Sequence, residues 1–218
     1  ANLVQLYAVC TIGSPLFIIT ELMPHGALLD YLRKPEGEAL RLPTLVDMAA
    51  DCANGMSHIE ANGYIHRDLA ARNILVGADN VCKVADFGFA RLLDDSGEFQ
   101  AAKLEKFPVR WTAPEAMAFN KYSIKSDVWS FGILMAEIVT YGKKPYLGLS
   151  NKEVVSKIDE GYRMEKPQGC PEGLYKIMLD CWKTEPIDRP TFESLVYRLE
   201  DFFHSGEANY TDPTKFVD

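Results

Sequence analysis

Three short motifs hold the residues of this sequence that could perform chemistry. They read H-R-D-L-A-A-R-N at residues 66–73, D-F-G at 86–88 and A-P-E at 113–115. Asn73 and Asp86 offer amide and carboxylate oxygens, the ligands that a hard cation such as Mg²⁺ prefers. Asp68 can accept the proton of an incoming hydroxyl or orient that hydroxyl, and Gly88 lets the backbone turn tightly beside Asp86. The motifs therefore indicate general-base chemistry next to a metal ion.

Two long helices are predicted on either side of these motifs. Apolar residues between Leu42 and Ile59 recur at alternating steps of three and four, which predicts an amphipathic helix with Pro43 near its start and Gly63 near its end. Residues 124–140 are apolar nearly all round, which is typical of a helix buried on every side. Further helical patterns lie at 151–160, 171–182 and 191–203.

Short strands are predicted in two places. The apolar runs 73–76 and 81–85 flank a turn-like sequence and predict a small hairpin. The runs 3–10 and 16–20 predict a second hairpin at the front of the chain, and residues 86–114 are expected to form a long functional loop. Strands that precede a run of helices indicate the α+β class.

Composition excludes several classes of protein. The 218 residues are 47% hydrophobic, which predicts a sizeable globular domain and excludes a disordered chain. A net charge of -8 argues against a nucleic-acid-binding surface. No apolar stretch approaches the roughly 20 residues of a transmembrane segment. Five scattered cysteines indicate a reducing compartment, with the thiols serving as small core residues.

The ordered motifs resemble those of a protein kinase, with a helix before the first and an apolar helix after the third. L-A-A-R-N at 69–73 resembles the tyrosine-kinase form, since serine/threonine kinases usually have a lysine two residues after the aspartate. K-F-P-V-R-W-T at 106–112 resembles the tyrosine-kinase substrate platform, with Pro108 shaping it. The sequences at 125–132 and 189–193 resemble cytoplasmic Src-type kinases, and L-E-D-F-F at 199–203 resembles the Fyn-related and Brk-like branch.

The resemblance implies a protein-kinase-like fold with three parts. Residues 1–26 would be a remnant of the N-terminal antiparallel sheet with the hinge, 27–204 the mostly helical C-terminal lobe, and 205–218 a flexible regulatory tail. ATP and Mg²⁺ would be the cofactors. The implied activity is transfer of the γ-phosphoryl group of ATP to tyrosine hydroxyls of protein substrates.

The resemblance also implies roles for individual residues. Glu21 and Met23 would bind the adenine through their backbones, with Thr20 as gatekeeper behind it and Leu75 as the apolar floor. The catalytic residues would be Asp68 as base, Arg72 as positioner of the substrate tyrosine, and Asn73. Asn73 and Asp86 would hold the magnesium ion. Glu115 would pair with Arg189, and a stack typical of the active conformation would contain Leu6, His66 and Phe87.

Regulation and localisation follow from the same resemblance. Phosphorylated Tyr210 in the tail would engage an upstream phosphotyrosine-binding domain of the same protein. The location would be cytoplasmic, at the inner face of the plasma membrane. Neither nucleic-acid binding nor a transmembrane segment is expected.

The sequence departs from the family pattern in two respects. The glycine-rich phosphate loop, the strand lysine and its partner glutamate are absent, so we expect these 218 residues to be part of a longer chain and inactive alone. Residues 86–115 contain no tyrosine, and Phe99 stands where Src-type kinases usually carry a phosphorylated one. Arg67 and Arg91 would then need another anion, and we hypothesise activation without loop tyrosine phosphorylation. The candidate anions are Asp94, Asp95 and Glu98.

Other interpretations of the same residues stay open. The chain could be a pseudokinase that keeps the fold as a scaffold for protein interactions, or a serine/threonine kinase, which Arg72 and Pro108 disfavour. His66 could be a core histidine and Asp68 a helix cap or turn residue. The pair between Glu115 and Arg189 could be purely structural, and Tyr210 could be a tail residue without function.

Overall fold

The computed structural model describes residues 1–101 and 107–202. Most of the regular structure in these ranges is helical. The α-helices are α1 (Leu28–Leu32), α2 (Pro35–Glu38), α3 (Leu42–Ala61), α4 (Pro114–Phe119), α5 (Ile124–Val139), α6 (Asn151–Asp159), α7 (Glu172–Cys181) and α8 (Phe192–Glu200). The predicted α+β class is therefore confirmed, with short antiparallel strands in front of a helical body.

The strands are short and pair antiparallel. They are β1 (Leu6–Cys10), β2 (Phe17–Thr20), β3 (Gly26–Ala27), β4 (Tyr64–Ile65), β5 (Ile74–Val76), β6 (Cys82–Val84), β7 (Arg91–Leu92), β8 (Phe99–Gln100) and β9 (Lys121–Tyr122). β1 pairs with β2, β5 lies between β3 and β6, β4 pairs with β7, and β8 pairs with β9. Both predicted hairpins are present, whereas the pairings of β3, β7, β8 and β9 were not predicted.

The amphipathic helix predicted at 42–59 is α3. Pro43 lies in its first turn, where a missing N–H costs no hydrogen bond, and Gly63 follows its end at a φ of +72°. The helix packs against α8 and β6. The side chain of Glu60 accepts a hydrogen bond of 2.9 Å from the backbone N–H of Phe192, which joins α3 to the start of α8.

The helix predicted to be buried all round is α5. Its first turn has a capping box between Ser123 and Ser126. Trp129, Phe131 and most of its other side chains are buried, and the Phe131 ring packs edge-on against Phe192 at 5.6 Å. This helix is the centre of the core, and its side chains also bind the segment 66–71.

The first strand is shorter than the predicted run of residues 3–10. β1 begins at Leu6 because residues 2–4 pair with Val84 of β6 instead. The Asn2 carbonyl would lie 2.4 Å from a Cβ at position 55, so Gly55 of α3 permits this close approach. The Asn2 side chain also donates 2.7 Å to Asp51. This segment is thus fastened to the helical body rather than to the front hairpin.

The front hairpin exposes its apolar side chains, whereas the helical body buries them. Leu6, Val9, Phe17 and Ile18 are each more than half exposed. The five cysteines are free thiols; four are buried, and Cys10 of β1 is partly exposed. Within residues 1–101 and 107–202, no helix has the length and apolarity needed to cross a bilayer.

Candidate active site

The candidate catalytic loop, residues 66–73 with Asp68, is fixed by a buried carboxylate of α5. Asp127, which is 1% exposed, accepts hydrogen bonds from the backbone N–H groups of His66 (2.7 Å) and Arg67 (2.9 Å). Burial raises the pKa of Asp127, while His66 and Arg67 partly oppose that rise. The two bonds hold Arg67 in the left-handed region, at a φ of 70°, so the chain turns sharply just before Asp68.

The His66 ring connects this loop to the segment around Phe87. Its Nε2 lies 2.9 Å from the carbonyl of Ala85, and its Nδ1 accepts from the N–H of Asp68 at 3.3 Å, which assigns the proton to Nε2. The His66 and Phe87 rings are in contact, with centroids 5.6 Å apart. His66 is therefore a scaffold residue. Leu6, the third expected member of the stack, is 56% exposed on β1, and its part in the stack stays a prediction.

Asp68 is held from two sides. Its Oδ1 forms an ion pair with Arg72, four residues on, and its Oδ2 accepts from the Asn73 side-chain amide at 2.7 Å. The same amide nitrogen donates to the Asp68 carbonyl, also at 2.7 Å. The structure thus brings together all three expected catalytic residues around one carboxylate, rather than using Asp68 as a helix cap.

The hairpin of β5 and β6 brings Asn73 close to Asp86. Ile74 lies opposite Val84, and the N–H of Ala85 donates 2.9 Å to the Asn73 carbonyl. Asp86 has a φ of 58°, and its exposed side chain accepts from the N–H of Gly88 at 3.3 Å. The Asn73 side-chain nitrogen donates to Asp68, which leaves the amide oxygen as the atom that could bind a cation.

This donor set fits Mg²⁺, which usually keeps several waters and takes one or two protein carboxylates plus phosphate oxygens. It does not resemble a closed protein cage. No cluster of three or more His, Cys, Asp or Glu groups able to hold a metal occurs among the residues that the structure describes.

Of the expected adenine-binding residues, Glu21 and Met23 lie in the connection after β2. Thr20 ends that strand and is exposed, Met23 is buried, and Leu75 lies half-buried on β5. The Met23 carbonyl accepts from Gly26 at 3.1 Å, which closes a turn before β3. Their roles toward a nucleotide remain predictions.

An ion pair that no sequence pattern indicated lies at this connection. Lys83 of β6 donates 2.8 Å to each carboxylate oxygen of Glu21. Its hydrogen bond is the main reason why the pKa of Glu21 lies below the usual value. The pair ties the connection to the hairpin that leads into Asp86.

The expected substrate platform is anchored by Arg110. This buried side chain donates to the carbonyls of Pro145 (2.8 Å), Tyr146 (2.9 Å) and Leu149. In front of the platform is a cavity of about 200 Å³. Its lining includes Arg67, Asp68, Arg72, Phe89, Phe107 and Pro108. Lys106, also part of the predicted platform, lies outside the described residues.

A second buried carboxylate, Glu137 of α5, was also missed. It is 2% exposed and accepts hydrogen bonds from the N–H of Ala71 (3.0 Å) and the indole N–H of Trp111 (2.9 Å). Burial raises its pKa. An acidic residue within the apolar run 131–139 of α5 is the signal that could identify it, because such a group needs buried donors.

The expected pair between Glu115 and Arg189 is present and bidentate. Arg189 Nη1 lies 2.6 Å from Glu115 Oε1, and Nη2 lies 2.9 Å from Oε2. The Arg189 side chain is fully buried, and its remaining N–H groups donate to the carbonyls of Lys125, Lys183 and Thr184. These contacts agree with the structural interpretation of the pair.

Phe99, which is expected at the place of the loop tyrosine, contacts Arg67, one of the two arginines that were expected to bind an anion. The Arg67 guanidinium lies 4.7 Å from the Phe99 ring centre and 4.5 Å from that of Tyr122. Arg91 donates to the carbonyls of Gly88 and Ala90.

The acidic residues proposed as partners of Arg67 and Arg91 have other contacts. The Asp94 carboxylate accepts hydrogen bonds from the backbone N–H and the hydroxyl of Ser96, and these bonds close a tight turn. Glu98 pairs with Lys121 across the β8–β9 ladder at 2.7 Å. The expectation was therefore wrong for these two residues. Tyr210 lies outside the described residues.

The sequence is similar to those of known protein kinases. The family described as protein tyrosine and serine/threonine kinase matches residues 1–199. The chain is 58% identical over 213 residues to tyrosine-protein kinase SRK3 of Spongilla lacustris, covering 97% of this chain and 64% of that protein. For SRK2 of the same sponge the identity is 64% over 209 residues, covering 96% and 57%.

Human tyrosine-protein kinase FRK is 52% identical over 218 residues, covering 99% of this chain and 43% of that protein. This similarity agrees with the predicted Fyn-related branch. The chain thus spans roughly half of the length of the curated relatives that it matches.

Proposed function

The chain belongs to the protein tyrosine and serine/threonine kinase family, and on that premise we propose that its full-length protein phosphorylates tyrosines of other proteins. The observation that carries the proposal is the Asp68 carboxylate, which Arg72 and Asn73 hold at the wall of a cavity. The reaction is transfer of the γ-phosphoryl group of ATP to a phenolic hydroxyl.

Asp68 acts as the general base of this proposed reaction. Its carboxylate receives or orients the proton of the attacking hydroxyl, and the Arg72 pair and the Asn73 amide fix both oxygens while it does so. A base that is already oriented lowers the barrier because little rearrangement remains to be made in the transition state. Arg72 also lines the cavity, so it can contact the incoming residue.

Asn73 and Asp86 would hold Mg²⁺, and Glu21, Met23, Thr20 and Leu75 would surround the adenine of ATP. When bound, the metal neutralises charge that develops on the phosphoryl oxygens. The proximity of Asn73 to Asp86 across the β5–β6 hairpin supports the metal site. The fixed connection at Glu21 supports the nucleotide site, because its ion pair with Lys83 limits how far that connection can move.

The lining of the cavity favours tyrosine over serine. Phe107 and Pro108 provide apolar contacts for a ring, and Asp68 and Arg72 provide polar contacts for a hydroxyl. A serine side chain offers no ring to fill this space, so it gains less from the apolar walls. This supports a tyrosine kinase over the serine/threonine alternative.

A peptide assay tests the proposal. The full-length protein, supplied with ATP and Mg²⁺, should phosphorylate a tyrosine peptide and leave the matched serine peptide unmodified. Asp68→Asn should reduce kcat by at least about a thousandfold, as expected for loss of a general base together with its ion pair. Equal activity of Asp68→Asn would refute the assignment, and a wild-type protein without activity would favour the pseudokinase scaffold.

Regulation forms a further part of the proposal. Contact of Phe99 with Arg67 supports activation without loop tyrosine phosphorylation, since an aromatic ring already occupies the arginine face. If phosphorylation of Ser96 in the full-length protein controlled activity, this idea would be wrong. The family resemblance alone supports two further parts of the proposal. The protein is cytoplasmic and lies at the inner face of the plasma membrane. Phosphorylated Tyr210 engages an upstream phosphotyrosine-binding domain of the same protein.

A further inference from the structure

One buried oxygen atom connects the catalytic loop with the substrate platform. Oε2 of Glu137 accepts the backbone N–H of Ala71, one residue before Arg72, and the indole N–H of Trp111. The two bonds measure 3.0 and 2.9 Å, and an ionised carboxylate makes such bonds stronger than a neutral acceptor would. Because the carboxylate is buried and points from the rigid helix α5, it fixes the two segments relative to each other.

The Trp111 ring in turn supports Arg72. The Arg72 guanidinium lies over the indole face, with its central carbon 4.6 Å from the ring centre. A flat cation over an aromatic face gains electrostatic energy and loses orientational freedom. The Arg72 side chain is still 34% exposed, so without the indole it could turn away from Asp68 toward solvent.

We propose that Glu137 and Trp111 are positioning residues for catalysis: Glu137 orients the indole, the indole orients Arg72, and Arg72 orients the Asp68 carboxylate. This inference rests on the proposed function, since it concerns the base of that reaction. It assigns to the α5 carboxylate a role that reaches the reacting hydroxyl through three intermediate side chains, Trp111, Arg72 and Asp68. Neither Glu137 nor Trp111 contacts the substrate hydroxyl in this arrangement.

Two substitutions at Trp111 separate support of Arg72 from simple filling of space. Trp111→Leu removes the ring face, so in the full-length protein kcat for a tyrosine peptide should fall about tenfold while KM for ATP stays unchanged. Trp111→Phe keeps a ring face under Arg72 but loses the N–H that Glu137 binds, so it should recover only part of the rate, with a loss of about threefold. Trp182→Phe is the matched control, because Trp182 is a buried core residue that does not line the cavity at Asp68.

The control separates a change in catalysis from a change in stability. Each kcat is normalised to the folded fraction measured by thermal unfolding. Trp182→Phe should lower the melting temperature without lowering the normalised kcat. Equal normalised losses in Trp111→Leu and Trp111→Phe, or no loss in Trp111→Leu, would overturn the proposal, because the ring face would then have no part in catalysis.

A second readout does not depend on activity. In nuclear magnetic resonance spectra, the Arg72 side-chain protons should show a ring-current shift that Trp111→Leu abolishes and Trp111→Phe preserves. Glu137→Gln should speed exchange of the Trp111 indole proton about tenfold, since a neutral oxygen holds it less strongly. Unchanged exchange and unchanged shifts would refute the positioning chain even in an inactive protein, whereas an inactive wild-type protein with these shifts would refute only the proposed reaction.

Discussion

The catalytic loop and the segment 86–100 after it are neighbours, but they are held in opposite ways. Buried carboxylates of α5 fix the loop: Asp127 binds its first two N–H groups and Glu137 binds that of Ala71. The following segment is held by exposed contacts, such as the pair of Glu98 with Lys121. Buried side chains therefore hold the catalytic loop in place, whereas exposed side-chain contacts help to hold the segment 86–100.

This difference shows where the molecule can be adjusted. Contacts to buried charged groups are costly to break, whereas exposed pairs contribute little and respond to salt. Arg67 belongs to both regions, because its N–H binds Asp127 while its guanidinium lies between the Phe99 and Tyr122 rings. Changes in the surface segment can therefore reach the residue next to Asp68 without unfolding the loop.

The largest expected effect is loss of the interior contact to the loop. Asp127→Ala leaves the N–H groups of His66 and Arg67 buried without their acceptor, which should cost about 4 kcal/mol of unfolding free energy. Asp127→Asn keeps one acceptor oxygen and should cost about half as much. Urea unfolding measures both, and a loss below about 1 kcal/mol for Asp127→Ala would show that the interior does not hold the loop.

Two ion pairs provide the next comparison. Arg189→Met removes a fully buried partner of Glu115 and should cost about 3 kcal/mol. Lys121→Met removes the half-exposed partner of Glu98 and should cost less than about 1 kcal/mol. The same urea experiment compares them, and equal costs would contradict the distinction between interior and surface contacts.

The aromatic contact of the surface segment should have a smaller, local effect. Phe99→Leu removes the ring next to Arg67, a contact worth about 1 kcal/mol. Amide hydrogen exchange in residues 91–100 should then become about fivefold faster, while exchange in residues 66–73 stays unchanged. Phe99→Tyr keeps the ring and is the control. Faster exchange in residues 66–73 would show that the catalytic loop opens together with the surface segment.

The smallest effect concerns pH. The Lys83 contact lowers the pKa of Glu21, so the folded protein binds a proton there less tightly than the unfolded chain. The resulting stability is complete above the unfolded pKa of about 4.5 and is lost as the pH falls through the lowered folded value. Lys83→Met should remove this change of unfolding free energy with pH, which amounts to less than about 1 kcal/mol. Identical pH profiles of unfolding for wild type and variant would argue against it.

The sequence predicted the parts of the fold that repeat a pattern. The periodicity of α3, the apolar length of α5 and the two hairpins each have a strong local signal. The family resemblance placed Asp68, Arg72 and Asn73 in one site, and their side chains do meet. These predictions succeeded because the pattern and the contact lie within a few residues of each other.

The remaining contacts depend on residues that are distant in sequence. Arg110 reaches the carbonyls before α6, and Lys83 reaches Glu21, which is 62 residues away. The strands β8 and β9 have two residues each and no periodicity to detect. Helices α1, α2 and α4 are likewise short, and their existence depends on packing rather than on helix propensity.

The single partly exposed cysteine makes the front hairpin chemically addressable. Burial raises the pKa of Cys170 to about 11 and that of Cys181 to about 12, and contact with Cys82 raises that of Cys52. Because alkylating reagents attack the thiolate, these interior thiols are protected in the folded protein. A fluorophore carried by a maleimide would therefore attach at Cys10 and serve as a reporter of movement between the β1–β2 hairpin and the helical body.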